Sequence, residues 1–322
     1  MFVFCIESSH SRGMGHLYRS LTLAEELRRR GHDIHFLVND HETTLKILKS
    51  RGFEFNIYDL GAPGGSWESA FVKTAKPPEV WVDDRLDTTF AHATAVVSAG
   101  ARLVTFDDRG AGAELADINI SALVFEGIDR LKGREVKSGI EYMILNPEIA
   151  HYRRARKTVN SILVTLGGAD THGVTIHVVR WLQSKAVAVT VVTGPAFQHR
   201  EDLYSVLAKP VVASVEHLTG VPSMAQEMNR HDLAITGGGL TPFEAAASGL
   251  PSIVIANEIF EIPVGRALEE LGFSRFAGHY RSVDFGALSL DLPVEKMSQT
   301  ALRRTDLNGS HRIADRLEAL LR

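Results

Sequence analysis

Short apolar segments alternate along the chain with longer segments whose apolar residues recur at helical spacing. This alternation predicts an α/β protein in which helices join parallel strands. In the first half of the chain the predicted strands are residues 2–6, 33–38, 79–83, 102–106 and 118–124. In the second half they are residues 161–166, 187–193, 232–236 and 251–256.

The two series of strands predict two domains. Residues 126–160 interrupt the alternation with Gly, Lys, Arg and Glu, so we interpret them as the connection. With 322 residues, the chain exceeds the size of one typical core. We therefore predict two Rossmann-like domains, residues 1–150 and 151–322, that face a central cleft. The last helix, about Ser310 to Leu321, is expected to cross back to the first domain.

A glycine loop joins the first predicted strand to the first predicted helix. It contains Gly13, Gly15 and His16, and glycines before a helix expose backbone N–H groups at the positive end of the helix dipole. We expect Gly13 and Gly15 to bind an anionic ligand that the imidazole of His16 can reach. The loop lacks the full dinucleotide fingerprint and the Walker lysine. An ordinary helix N-terminal position for His16 therefore stays open.

A second glycine turn follows a strand in the other half of the chain. Gly237–Gly239 precede Leu240, Thr241 and Pro242, and we predict a helix with Thr241 as its N-cap. Gly238, Gly239, Leu240 and Thr241 are candidates for binding a diphosphate through the backbone. Glu244 lies three residues after Thr241. Its carboxylate can accept both ribose hydroxyls of a nucleotide, or it can close a capping box with Thr241.

Two further strand ends carry candidate residues in the second half. Gly167 and Gly168 follow a strand and are expected to form the facing part of the phosphate site, while Asp170 is interpreted as a helix cap. Asn257 and Glu258 follow another buried strand. In open α/β sheets ligands bind at the carboxyl ends of strands, so both side chains are expected beside the ligand.

Four carboxylates lie at the ends of two strands in the first half. They belong to Asp83, Asp84, Asp107 and Asp108, and such a group can bind a metal ion. We favour the alternative that they cap helices and turns, and we predict no metal site.

Composition and charge narrow the classes of partner. A net charge of −4 argues against a broad nucleic-acid surface. Cys5 is the single cysteine, which excludes a disulfide framework and fits the cytoplasm. Met1 leads directly into a strand, so we expect no signal peptide, and no apolar run approaches the ~20 residues of a membrane span.

These motifs, in this order, resemble those of the nucleotide-sugar hydrolases of pseudaminic-acid biosynthesis and their relatives in spore-coat polysaccharide synthesis. The similar segments are residues 13–19, 166–170, 237–244 and 257–258, together with Asp107-Asp108 and Asp306–Leu321. The resemblance covers nearly the whole chain and implies a GT-B-like fold. It also implies release of UDP from a diacetamido-trideoxy sugar nucleotide by water attack at the anomeric carbon, without metal or cofactor.

The resemblance also assigns roles to single residues. His16 matches the catalytic histidine, Asn257 matches an active-site asparagine, and Glu244 matches the position that holds the ribose. Arg19 matches a family position that holds a carboxylate or contacts the diphosphate. The implied hydrolysis is chemically reasonable, since UDP is a good leaving group and a histidine can activate water near neutral pH.

One departure leaves the sugar and the reaction open. Where the family has a tyrosine that lines the sugar site, this chain has Arg85, whose guanidinium suits an altered sugar or an acidic acceptor. Alternatively, Arg85 pairs with Asp84 or Asp87 at the rim of the cleft. The leading prediction is a hydrolase, and the alternative is a GT-B glycosyltransferase that uses the same UDP-sugar with a hydroxyl acceptor. A non-catalytic nucleotide-sugar sensor is a third possibility.

Overall fold

The structure is a computed structural model, and it describes residues 1–8, 15–62, 66–74, 76–122, 131–168, 170–194, 196–209, 212 and 214–322. Gly13, a predicted ligand-binding residue, lies outside the described residues. The chain divides into two compact units. Unit 1 consists of Met1–Leu145 and Asn308–Arg322, and unit 2 consists of Asn146–Leu307.

Strands and helices alternate along most of the chain. The strands are β1 (Phe2–Ile6), β2 (Ile34–Val38), β3 (Glu54–Ile57), β4 (Val80–Asp84), β5 (Arg102–Phe106), β6 (Ile118–Ser121), β7 (Glu135–Ser138), β8 (Ser161–Thr165), β9 (Ala188–Thr193), β10 (Ser214–Thr219), β11 (Leu233–Thr236), β12 (Ser252–Ala256) and β13 (Ser274–His279). The helices are α1 (Gly15–Arg29), α2 (Glu42–Ser50), α3 (Ser66–Thr74), α4 (Phe90–Ser98), α5 (Val174–Leu182), α6 (Arg200–Leu207), α7 (Met224–Arg230), α8 (Thr241–Ala247), α9 (Glu261–Glu270), α10 (Val294–Arg304) and α11 (Gly309–Ala319).

Each unit contains a parallel sheet with its first strand near the middle. The strand order is β3-β2-β1-β4-β5-β6-β7 in unit 1 and β10-β9-β8-β11-β12-β13 in unit 2. In both sheets the order reverses beside the first strand, and ligands of open α/β sheets bind at such a switch point. The register pairs Ile6 at the end of β1 with Asp84 at the end of β4.

The core of unit 1 confirms the helical spacing seen in the sequence. Leu17, Leu21 and Leu27 of α1 are fully buried against one face of the sheet. Ile313 and Leu317 of α11 belong to the same cluster. The last helix therefore completes the core of unit 1, although it follows all of unit 2 in the chain.

One interpretation of the sequence is wrong in part. Residues 126–160 are not only a connection, because β7 lies within this segment and pairs with β6 in the sheet of unit 1. The predicted strand 118–124 also ends earlier, at Ser121. Within the described part of the chain, no helix combines the length and hydropathy needed to cross a membrane.

Candidate functional site

A buried ion pair between Arg19 and Asp84 lies at the carboxyl edge of the sheet in unit 1. Nε and Nη2 of Arg19 donate to the two carboxylate oxygens of Asp84 at 2.6 and 2.5 Å, and Nη1 donates to Asp107 at 2.6 Å. Asp107 also accepts a hydrogen bond from the Ser121 hydroxyl at 2.6 Å. Burial opposes ionisation of Asp84, but the charge of Arg19 and then that of His16 hold its pKa well below the usual range.

The imidazole of His16 is oriented by the same carboxylate. His16 lies in the first turn of α1, and its Nδ1 is 2.7 Å from Oδ1 of Asp84. Nη2 of Arg19, which can only donate, lies farther from Nδ1 at 3.3 Å. An ionised carboxylate can only accept hydrogen bonds, so the shorter contact with Asp84 assigns the proton to Nδ1. The lone pair of the neutral ring is therefore on Nε2. The His16 side chain is 18% exposed, while Asp84 has no exposed surface.

Asp83 directs its carboxylate to the opposite face of the strand. His92 lies between two carboxylates there, with Nε2 at 2.8 Å from Asp83 and Nδ1 at 2.6 Å from Glu68. Burial disfavours the charged form of His92, but the negative charge of Asp83 outweighs this effect and raises the pKa of His92 to about 9. The indole of Trp81 also donates to Asp83 at 2.9 Å. Sequence analysis missed His92 and Glu68. One signal in the sequence could have indicated a second cluster. Successive residues of a strand face opposite sides of the sheet, so Asp83 and Asp84 must have different partners.

Arg85 lies beside a cavity of about 230 Å³ in unit 1. Its Nη2 donates to the carbonyl of Leu60 at 2.6 Å and lies 3.9 Å from a carboxylate oxygen of Glu7. Glu7 and Asp87 also line the cavity. Arg85 thus has acidic neighbours on this side of the cavity. Its predicted place beside a sugar stays a prediction.

In unit 2, the first turn of α8 carries an unpaired carboxylate. The helix begins at Thr241 and is preceded by Leu240, with no side-chain cap, so the predicted N-cap at Thr241 and the alternative capping box are wrong. Among the described residues, no hydrogen bond or ion pair reaches the carboxylate of Glu244. Burial alone raises the pKa of Glu244 to about 7. A ribose with two hydroxyl donors would supply the missing partners.

The glycines of unit 2 differ in the space around them. A Cβ atom added to Gly167, Gly168 or Gly239 would meet no atom within 4 Å from the described residues beyond the chain neighbours, so a ligand can approach their backbone. The amide of Gly238, in contrast, donates to the carboxylate of Glu261 at 3.1 Å. Gly194 packs so closely on Gly168 that a Cβ atom there would lie 2.3 Å from the Gly168 carbonyl oxygen.

The other predicted residues of unit 2 lie at the ends of β8 and β12. Asp170 accepts from the amides of Val174 and Thr175 at 2.9 and 2.8 Å, which confirms it as a cap of α5. The amide Nδ2 of Asn257 donates to the carbonyl of Leu166 at 3.1 Å. Glu258 lies 3.1 Å from Nε2 of His172, whose ring stacks on Tyr280 with centroids 4.2 Å apart.

The chain resembles several known proteins, but no family model matches it. An uncharacterised protein of Methanocaldococcus jannaschii is 29% identical over 271 residues, which are 79% of this chain and 55% of that protein. The chain thus spans about half the length of this relative. The spore coat polysaccharide biosynthesis protein SpsG of Bacillus subtilis is 23% identical over 299 residues, with 83% of this chain and 80% of SpsG covered.

A shorter match involves a named transferase. Over 87 residues the chain is 30% identical to the UDP-N-acetylglucosamine–N-acetylmuramyl-(pentapeptide) pyrophosphoryl-undecaprenol N-acetylglucosamine transferase of Solibacter usitatus. The match covers 27% of this chain and 24% of the transferase.

Solved structures with low sequence identity share the whole architecture. Acinetobacter baumannii MurG matches with a TM-score of 0.72 and 15% identity, covering 99% of both chains. The glycotransferase of kitacinnamycin matches with a TM-score of 0.70 and 17% identity, covering 100% of this chain and 98% of that one. Staphylococcus aureus MnaA, solved with UDP, has a TM-score of 0.67 and 14% identity, covering 99% and 96%. The protein has the GT-B fold. This confirms the predicted fold of two Rossmann-like units.

Proposed function

We propose that this protein is an enzyme that takes the glycosyl group of a nucleotide sugar, with UDP as the nucleotide, and transfers it to an acceptor hydroxyl. The observation that carries the proposal is the pair of His16 and Asp84. Asp84 accepts the Nδ1 proton at 2.7 Å and thereby leaves Nε2 as a proton acceptor, which is the arrangement of a general base with its orienting carboxylate.

The names of similar proteins support a reaction of this class. The Solibacter usitatus relative is named as a transferase of N-acetylglucosamine from UDP-N-acetylglucosamine. SpsG is named for polysaccharide biosynthesis, and MnaA binds UDP in its solved structure. We therefore place the proposed reaction in the synthesis of a surface polysaccharide or a related glycan.

In unit 1, His16 would act on the acceptor. As the acceptor oxygen bonds to the anomeric carbon, its proton passes to Nε2 of His16. The bond between the anomeric carbon and the diphosphate oxygen breaks, and its electron pair leaves with UDP. Asp84 stabilises the imidazolium that forms, since it is already ionised and fixed by Arg19.

In unit 2, the described residues suit the nucleotide part of the donor. The open backbone at Gly167, Gly168 and Gly239 allows a diphosphate to approach N–H groups. Glu244 would accept hydrogen bonds from the two ribose hydroxyls, which would compensate the partial burial of its carboxylate. The backbone N–H groups of the glycines would stabilise the charge of the diphosphate through fixed dipoles.

Water in place of the acceptor would give the hydrolase that the sequence motifs favoured. The same base, His16, can deprotonate either a water or a sugar hydroxyl. The names of the relatives favour transfer, so we treat hydrolysis as the second candidate.

The deciding experiment measures UDP release from a panel of UDP-sugars, with and without candidate acceptors. For the wild type we expect release that depends on an acceptor. For His16→Ala we expect a loss of about 10²–10⁴-fold, the usual contribution of a general base. His311→Gln, an exposed histidine of unit 1 whose side chain is 51% exposed, is the matched control and should keep wild-type release.

Three outcomes would change the conclusion. Release that no acceptor accelerates would assign the hydrolase, and full turnover by His16→Ala would remove the histidine from the mechanism. Binding of UDP-sugars without any turnover would leave a non-catalytic sensor.

A further inference from the structure

One carboxylate oxygen joins the ends of two neighbouring strands in unit 2. Oε2 of Glu261, the first residue of α9, accepts the backbone amide of Gly238 at 3.1 Å and that of Asn257 at 2.7 Å. Gly238 follows β11 and Asn257 follows β12, which is adjacent to β11 in the sheet. Glu261 thus acts as a clamp between two loops at the carboxyl edge.

The clamp explains why a glycine is required at position 238. A Cβ atom on Gly238 would lie 2.6 Å from the Cβ of Glu261, a distance that packed side chains do not reach. The Glu261 side chain therefore lies directly over the glycine turn. The amide that sequence analysis assigned to a diphosphate is already satisfied by a residue of this chain.

Asn257 is held at its side chain as well as at its backbone. Nδ2 donates to the carbonyl of Leu166, the residue that follows β8, at 3.1 Å. Because only the nitrogen of the amide can donate, this contact fixes which end of the side chain faces Leu166. A Cβ atom on Gly237 would come within 3.0 Å of the same nitrogen, so the amide has close neighbours on that side too.

The remaining atom of the amide, Oδ1 of Asn257, is buried and accepts no hydrogen bond from any residue that the structure describes. A buried acceptor without a donor is unfavourable, and native structures rarely keep one. The position and orientation of Oδ1 are nevertheless fixed by Glu261 and Leu166. This combination indicates a preset acceptor that a ligand completes.

We propose that Glu261 is a positioning residue that presets Asn257, and that Oδ1 of Asn257 accepts a hydrogen bond from a hydroxyl or amide N–H on the glycosyl group of the donor. The inference rests on the proposed function, because it takes a nucleotide sugar as the ligand. A diphosphate offers only acceptors, so it cannot satisfy Oδ1. The ribose hydroxyls are assigned to Glu244. Two parts of the donor can then still offer a hydrogen-bond donor, namely the N3–H of uracil and the hydroxyl or amide groups of the glycosyl group. UDP and a UDP-sugar share the uracil, so a comparison of the two ligands distinguishes these sources.

The test compares ligands with and without a glycosyl group. Calorimetry would give the Kd values of UDP, UDP-glucose and UDP-N-acetylglucosamine. For Asn257→Ala we expect the Kd of at least one UDP-sugar to rise about tenfold, which corresponds to one hydrogen bond of ~1.4 kcal/mol. The Kd of UDP should change less than about threefold, because UDP has no glycosyl group to lose.

Variants of the clamp separate positioning from general stability. Glu261→Ala should reproduce the selective loss of Asn257→Ala. Glu261→Gln should restore most of the binding, because the glutamine oxygen can still accept both amides. Glu270→Gln, an exposed glutamate on the same helix, should bind every ligand like the wild type.

The outcomes that would overturn the inference are distinct. Equal weakening of UDP and UDP-sugars in Glu261→Ala would show a merely structural role. Tighter binding of UDP in Glu261→Ala would show that the carboxylate competes with the diphosphate for the Gly238 amide. Unchanged UDP-sugar binding in Asn257→Ala would show that Oδ1 meets no glycosyl donor, and that a water satisfies it.

A second measurement judges the clamp without any ligand. Backbone amides that lose their acceptor exchange hydrogen faster, so the amides of Gly238 and Asn257 should exchange faster in Glu261→Ala than in Glu270→Gln. Unchanged exchange at both amides would overturn the clamp. If the wild type binds neither UDP nor UDP-sugars, the proposed function fails, and the exchange rates still decide whether Glu261 holds Asn257.

Discussion

Two carboxylates, the buried Asp84 of unit 1 and the half-buried Glu244 of unit 2, have opposite environments at the carboxyl edges of their sheets. In unit 1, Asp84 accepts hydrogen bonds from His16, from two nitrogens of Arg19 and, at 3.1 Å, from the hydroxyl of Ser20. In unit 2, Glu244 receives no hydrogen bond or ion pair from the described residues, and burial alone raises its pKa to about 7. The pKa of Asp84 is shifted in the other direction.

The different partners of Asp84 and Glu244 indicate different roles for the two units. A carboxylate with all its partners in place orients a neighbouring group and does not need a ligand, so Asp84 suits a supporting role in catalysis. A half-buried carboxylate without protein partners is harder to ionise than one in water until a ligand supplies hydrogen-bond donors. Glu244 therefore suits binding, and its protonation should respond to whether a ligand is present.

The largest expected effect comes from removing the charge of Asp84. Asp84→Asn leaves the guanidinium of Arg19 buried with fewer compensating charges and lets the ring of His16 adopt the wrong tautomer. We expect turnover to fall about 10²–10⁴-fold. The free energy of unfolding should fall by roughly 3–5 kcal/mol, the usual cost of breaking a buried ion pair. Steady-state kinetics and urea denaturation measure the two effects.

Ser20→Ala is the control for this variant. It removes only the 3.1 Å contact to the same carboxylate, so its turnover should stay close to that of the wild type. An Asp84→Asn protein that folds and turns over like the wild type would contradict this role of Asp84, since the ion pair would then be unrelated to the function of His16.

The second prediction concerns how the folding stability of the unliganded protein depends on pH. In the unfolded chain a glutamate loses its proton near pH 4.5, whereas Glu244 in the folded protein loses it near pH 7. Between these values the folded state binds more protons, so its stability is fully present below pH 4.5 and falls as the pH rises to about 7. The fall is up to about 3 kcal/mol, at 1.36 kcal/mol per pKa unit.

Urea denaturation of the wild type and of Glu244→Gln between pH 4.5 and 8 isolates this contribution. The glutamine does not titrate. The free energy of unfolding of the wild type, relative to that of Glu244→Gln, should therefore fall as the pH rises. A constant difference across this range would show that Glu244 ionises at its ordinary pKa.

A third effect, on ligand binding, follows from the same carboxylate. If ribose hydroxyls bind the ionised form of Glu244, the Kd of uridine should fall about tenfold between pH 6 and pH 8, as the ionised fraction rises through the midpoint near 7. Uridine is the right probe because it carries no phosphate that titrates in this range. Glu244→Gln should bind uridine more weakly and without this pH dependence. The same pH dependence in both proteins would exclude Glu244 from the ribose site.

The sequence was sufficient to predict the central strands of each sheet but not the strands at its edges. Every residue of β1, β4 and β12 is buried, and their apolar runs predicted them. The strands that sequence analysis missed are β3, β7, β10 and β13, which are the outermost strands of the two sheets. Their residues are largely exposed or half-buried and include charges, such as Glu135 and Lys137 in β7. An edge strand needs no continuous apolar run, so hydrophobic patterning does not mark it.

Sequence analysis of the candidate site succeeded for single residues but not for the way they pair. It singled out His16, Asp84 and Arg19 without pairing them. His16 and Asp84 are 68 positions apart in the sequence, and their contact depends on β1 and β4 being neighbours in the sheet. Glu261 carries no motif at all. Its role depends on two backbone amides that meet only after β11 and β12 pair, and such backbone geometry leaves no side-chain pattern to read.

Two neighbouring glycines of the turn after β11 in unit 2, Gly238 and Gly239, should respond differently to an added methyl group. Gly239→Ala adds a Cβ atom to open space, so the free energy of unfolding should change by less than about 1 kcal/mol. Gly238→Ala is the matched variant, because its Cβ atom would collide with Glu261 at 2.6 Å and should destabilise the fold more. Binding of UDP should still weaken in Gly239→Ala, since the added methyl group occupies the space through which a diphosphate reaches the backbone. Wild-type affinity for UDP in Gly239→Ala would place the diphosphate elsewhere, with Gly167 and Gly168 as the remaining open backbone of the site.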